Sequence, residues 1–99
     1  MTHDARPLLV FFATEQSGPA RRMESLLAHL ARKERARLRV TRVDVKARPD
    51  LAERFRVREV PTLVLVKGKK AVARIDGRTS APRIERMLEP HLPQDLVAV

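Results

Sequence analysis

The fold is decided by residues 8–20, Leu8-Leu9-Val10-Phe11-Phe12-Ala13-Thr14-Glu15-Gln16-Ser17-Gly18-Pro19-Ala20. Six apolar residues in a row, two of them aromatic, suit a strand covered on both faces. A short polar break follows and closes on Gly18-Pro19. The period then changes. Met23, Leu26, Leu27, Leu30 and Ala31 recur at helical spacing and make one apolar stripe. Arg21, Arg22, His29, Arg32 and Lys33 lie largely off it. Ser17 suits the N-cap of this helix, and Pro19 suits its first turn, where a missing N–H is no loss.

Further along, Leu38 to Val45 alternates in part and is β-branched, so it reads as a strand. Arg48-Pro49-Asp50 opens a short helix with Leu51, Ala52 and Phe55 facing in. Thr62 to Val66 is a second strongly apolar strand. Lys67-Gly68-Lys69-Lys70 turns the chain, and Ala71 to Ile75 returns as the hairpin partner. Gly77 breaks that strand. Ser80 is placed to cap a last helix with Pro82 in its first turn and Ile84, Met87 and Leu88 on its apolar side. Pro90 ends it, because proline lacks the N–H that the helix ladder needs. The order β-α-β-α-β-β-α implies an α/β fold, a four-stranded mixed sheet with helices on both faces.

Ninety-nine residues fit one domain, with a core over about 7–92 and loose tails at 1–6 and 93–99. Phe11, Phe12 and Phe55 are the only aromatics, so aliphatic residues supply most of the core. There is no cysteine, which excludes disulfides, cysteine-ligated zinc and iron–sulfur clusters. The three histidines show no metal-ligand spacing, no pair of acids stands out, and no nucleophilic triad ties Ser17, Ser25 or Ser80 to a histidine. No metal and no cofactor is expected. No apolar run approaches about 18 residues, so no membrane insertion is expected either. The run Leu8 to Ala13 is too short for a signal-peptide core, and a cytoplasmic protein is expected.

Twenty-one Lys and Arg against twelve Asp and Glu give a formal net charge of +9. Such a surface attracts polyanions. Arg21, Arg22, Lys67, Lys69 and Lys70 are the candidate basic surface. Basic residues at the end of the first helix also have a purely structural reading, since cations suit the negative end of a helix dipole.

Six pieces occur in order: Leu9-Val10-Phe11-Phe12-Ala13, Gln16-Ser17-Gly18-Pro19-Ala20, Arg48-Pro49, Val60-Pro61-Thr62-Leu63, Lys67-Gly68 and Gly77. Together they resemble the thioredoxin family, with essentially no gaps over about residues 7–92. The family pattern places Trp-Cys-Gly-Pro-Cys at the start of the helix, and a cis proline in the segment matched by Val60-Pro61-Thr62. Ser17 and Ala20 therefore stand at the two cysteine positions, and Gln16 stands at the tryptophan. Phe11 replaces the buried acid of many members. Glu59 stands two residues before Pro61, where the family often has a small residue. A serine hydroxyl is far less acidic than a thiol and forms no mixed disulfide. The resemblance thus implies the fold without thiol–disulfide chemistry.

The family's usual first strand and helix have no counterpart, so the strand over 38–45 is expected at a sheet edge. Arg37, Arg39 and Arg42 suit an edge protected from pairing. Strand addition by a second copy, giving a homodimer, is the alternative.

In redox members of the family an extended peptide lies between the two loops and bonds to the backbone before the cis proline. The corresponding groove here is Gln16, Ser17, Gly18, Pro19, Glu59, Val60 and Pro61. Backbone pairing needs no cysteine. The leading expectation is a redox-inactive module that binds an unidentified protein or peptide. A nucleic-acid or other polyanion binder is the alternative, and a ligand- or thiol-handling enzyme at Ser17 is a lesser one.

Overall fold

In a computed structural model, residues 6–14 and 18–93 are described, with Gly18, Pro19 and Ala20 described in their backbone alone. Strand β1, Leu8–Ala13, lies inside a four-stranded sheet. Helix α1 is Gly18–Lys33, β2 Arg39–Asp44, α2 Pro49–Arg54, β3 Thr62–Lys67, β4 Lys70–Asp76 and α3 Ala81–Leu88. The strand order is β2-β1-β3-β4. β1 runs parallel to β2 and antiparallel to β3, and β3 and β4 form an antiparallel hairpin.

The unbroken apolar run of β1 is explained by what covers it. Leu9, Phe11 and Ala13 point to one face, where Met23, Leu27 and Leu30 of α1 and Ile84 and Leu88 of α3 complete the larger core. Val10 and Phe12 point to the other face and join Val64, with Leu51 and Phe55 packed against them. Successive strand residues alternate between faces, so only a strand buried on both sides needs apolar residues throughout. Phe12 and Leu9 are each 0 % exposed. Burial of one such side chain stabilises the fold by about 1.5–3 kcal/mol.

The two faces are covered unequally. Helix α2 has six residues and no fully buried one, so it roofs only part of its face. Phe55 is consequently half-buried rather than a core residue; its ring stands 5.8 Å from that of Phe12, tilted by 51°. The arginine Arg54 lies 5.8 Å above the Phe55 ring on the outer side.

Three expectations about ends and edges need correction. Ser80 occupies the N-cap of α3, but its hydroxyl makes no cap bond. The second helical residue is Pro82, which has no N–H to offer, and the helix starts instead on the Ile84 N–H to Ser80 C=O bond of 3.0 Å. Pro90 does not end the chain's helical path. The α-helix stops at Leu88 and continues as a 3-10 turn over Glu89–His91 that contains the proline near its start. Arg6, assigned to a loose tail, is tied down by a 2.7 Å bond from its guanidinium to the Arg35 carbonyl. The rest of both expected tails, 1–5 and 94–99, lies outside the described residues; Pro93 is described and its carbonyl accepts a bond from Arg37 at 3.4 Å.

β2 is a sheet edge. Arg39 N–H bonds to Pro7 C=O and Val45 N–H to Ala13 C=O, so the odd-numbered residues of this strand face β1. The backbone groups of Val40 and Arg42 therefore point outward. The arginines expected to guard this edge mostly fold elsewhere. Arg37 precedes the strand and is held by Glu34, and Arg42 folds over the α1 face to pair with Glu24. Each finds a carboxylate nearby, which solvent alone cannot offer. Among the described residues no helix is long and apolar enough to cross a membrane.

Candidate functional site at the Val60–Pro61 loop

The antiparallel register sets the site. Phe12 pairs with Thr62, so the chain leaving β1 and the chain entering β3 meet at one end of the sheet. The first continues through Thr14 toward Gly18, the start of α1. The second arrives as Glu59-Val60-Pro61. Crevices beyond the carboxyl ends of strands are where open α/β sheets bind ligands.

The Val60–Pro61 peptide bond is cis. The loop is fastened on both sides of it. Thr62 is fully buried, and its hydroxyl donates to the Glu59 carbonyl at 2.8 Å. The N–H of Gly77 donates to the Pro61 carbonyl, also at 2.8 Å. Gly77 has φ +83, a conformation that favours glycine, and the Glu59 carboxylate lies about 3.8 Å from where a side chain at 77 would begin. Between these anchors Val60 is 37 % exposed. No hydrogen bond within the described residues engages its backbone N–H or C=O.

A second device holds the approach to the loop. The Arg74 guanidinium on β4 donates to the carbonyls of Phe55 at 2.8 Å and Arg56 at 3.2 Å. It also pairs with Asp76 at 2.7 Å. Arg56 has φ +53, and the chain turns there toward Val60. No local sequence signal marks Arg74, because its partners are 18 and 19 residues away.

Of the candidate groove, Glu59, Val60 and Pro61 follow one another in the loop that enters β3, at the end of the sheet where β1 finishes. Glu59 and Val60 are exposed and Pro61 is buried. Gln16 and Ser17 lie outside the described residues. The side chains of Pro19 and Ala20 are likewise outside them, as is the N-cap position read for Ser17. Phe11 is 2 % exposed within the larger core. A phenyl ring there avoids the cost of burying an ionised carboxylate and leaves no proton acceptor at that position.

The basic residues do not form one surface. Arg21 and Arg22 are exposed on the first turns of α1, at the loop end of the sheet. Lys67, Lys69 and Lys70 are exposed at the β3–β4 turn, which the register with Leu8 and Val66 places at the opposite end. The strand between them has six residues, or about 17–20 Å. Arg48 and Asp50 pair in the open at the start of α2, where the hydrogen bond from Arg48 holds the Asp50 carboxyl below its ordinary 3.8. Among the described residues no cluster of His, Asp or Glu is arranged to hold a metal ion.

A mixed four-stranded sheet flanked by α1, α2 and α3, with a cis-proline loop entering β3, defines a protein of thioredoxin fold. The chain belongs to the thioredoxin family: the family model described as Thioredoxin matches residues 1–90. It is 32% identical over 88 residues to a bifunctional thioredoxin reductase/thioredoxin of Mycobacterium leprae, covering 89% of this chain and 19% of that longer protein. It is 28% identical to thioredoxin 1 of a Nostoc species, covering 87% of this chain and 80% of the relative. The crystal structure of the germline-specific thioredoxin Deadhead from Drosophila melanogaster superposes with a TM-score of 0.81 at 28% identity, over 89% of this chain and 83% of that one. This family member has no cysteine, so it cannot itself form the thiolate or the mixed disulfide that thiol–disulfide exchange requires.

Proposed function

We propose that this protein is a non-redox peptide- or protein-binding module of the thioredoxin family, and that its contact surface centres on Val60. The observation that carries this reading is an exposed residue with an unengaged backbone donor and acceptor, held rigid between two 2.8 Å hydrogen bonds. A fixed N–H and C=O of one residue can pair with one residue of an extended chain, as strands do. Because the loop is already ordered, binding loses little further conformational entropy there. Glu59, exposed next to Val60, gives a neighbouring side chain of a ligand something to contact.

The test is selection of binders from a random peptide library displayed on phage, followed by affinity measurement against Val60→Pro. That substitution removes the N–H. Peptides selected on the unaltered protein should lose most of their affinity for the variant. They should keep it for a variant with Lys67, Lys69 and Lys70 changed to Gln. Binders indifferent to Val60→Pro would overturn the reading.

A second reading is favoured by the β3–β4 turn, where Lys67, Lys69 and Lys70 are all exposed. A polyanion bound there would be released steeply by salt, with a log–log slope that falls when the lysines are neutralised. Charge reversal at Arg21 and Arg22 would leave that slope unchanged, because they sit at the other end of the sheet.

A further inference from the structure

Between α1 and the segment after β4 is a cavity of about 230 Å³ lined by Arg22, Met23, Leu26, Arg78 and Thr79. Its floor is apolar, since Met23 is buried and Leu26 half-buried. Its rim carries two exposed guanidinium groups. Among the described residues no ion pair or hydrogen bond engages the side chain of Arg22 or Arg78. Two cations at the rim of an apolar pit suit an anionic group on a short apolar stem. An aspartate or glutamate side chain has that form.

The cavity adjoins the loop through the chain itself. Gly77 is bonded to Pro61, and Arg78 and Thr79 follow directly. Side chains alternate along an extended ligand, so a residue next to the one paired with Val60 can turn toward α1. We propose that this cavity receives the carboxylate of an acidic residue in the bound peptide, held by Arg22 and Arg78. The inference rests on the groove reading for the peptide, and on the cavity alone for the preference for acid.

Two measurements test it. In the first, N-acetylaspartate amide and its uncharged counterpart N-acetylasparagine amide are titrated into isotope-labelled protein, and the amide resonances of Arg78 and Thr79 are followed. The acid should shift both resonances saturably, with an affinity at least about tenfold above that of the amide. The shifts should vanish in an Arg22→Gln, Arg78→Gln variant. Equal responses to the two probes, no response to either, or persistence in the variant would overturn the proposal.

In the second, peptides selected on the unaltered protein are compared with those selected on an Arg22→Glu, Arg78→Glu variant. Val60-dependent peptides should carry Asp or Glu at one fixed position in the first set and Lys or Arg there in the second. Val60-dependent peptides with no charge preference would overturn the cavity proposal and leave the groove reading standing. Binding of the aspartate probe with no Val60-dependent peptide recovered would sink the groove reading, and with it the claim that the acid belongs to a peptide.

Discussion

Replacing Arg74 with Leu should destabilise the protein by about 2 kcal/mol and loosen the approach to Val60. Arg74 makes two bonds to backbone carbonyls of the segment after α2, at 2.8 and 3.2 Å, and one ion pair with Asp76. A typical protein hydrogen bond contributes about 0.5–1.5 kcal/mol net. A partly exposed ion pair adds roughly 0–1 kcal/mol, and the Arg74 and Asp76 side chains are 36% and 46% exposed. The sum is about 1–4 kcal/mol, and solvent access argues for its middle. At roughly 4–8 °C per kcal/mol for a domain of this size, the melting temperature should fall by about 8–16 °C. Urea unfolding followed by circular dichroism measures the change, provided the transition is two-state. Asp76→Asn, which removes only the ion pair, separates the parts and should cost at most about 1 kcal/mol. An Arg74→Leu loss no larger than that of Asp76→Asn would refute the idea that this guanidinium fastens the segment.

Three more outcomes are expected. Gly77→Ala should cost about 1–2 kcal/mol from backbone conformation alone, because φ is +83 while the nearest atoms to the added methyl stay near 3.8 Å; a neutral result in urea unfolding would refute the left-handed turn. Phe11→Asp should cost more than the roughly 3–5 kcal/mol of a Phe-to-Ala change, through the cavity and the buried charge together. Its loss should shrink below pH 3.9, where the carboxyl is neutral even when unfolded, and grow above it; a pH-independent loss would count against burial of the charge. Asp50 has its folded pKa lowered by Arg48, so the pair's stabilisation is present above about pH 3.8 and is lost as pH falls through the folded value. The difference in stability between the unaltered protein and Asp50→Asn should therefore narrow in acid, and a constant difference from pH 7 to pH 2 would contradict the pairing.

The fold was legible because its strongest signals are local. The apolar run of β1 and the 3.6-residue stripe of α1 each announce an element, and the Lys67-Gly68-Lys69-Lys70 turn announces the hairpin. The order of elements then leaves few topologies. What local pattern could not supply was contact between distant segments. Arg74 reaching back to Phe55 and Arg56, and Thr79 lining one cavity with Arg22, are products of the folded sheet. The excess of positive charge likewise put Arg21 and Arg22 with the lysines of the β3–β4 turn as one candidate surface, although the antiparallel register sends the two groups to opposite ends. Phe55 read as core because it follows Leu51 by four residues, on the inward face of the short helix; the shortness of α2 leaves it half-covered. Glu59, Val60 and Pro61 stood out only through the resemblance, since nothing in their periodicity marks a site.

The most direct test of the central claim is the hydrogen exchange of the Val60 amide in isotope-labelled protein, alone and saturated with a peptide selected from the phage library. Val60 N–H has no partner within the described residues, so it should exchange quickly in the free protein. In the complex it should become protected by at least about tenfold, as a donor engaged by the peptide backbone. Unchanged exchange at Val60, with protection appearing at Lys67, Lys69 or Lys70 instead, would contradict the account and place binding at the other end of the sheet.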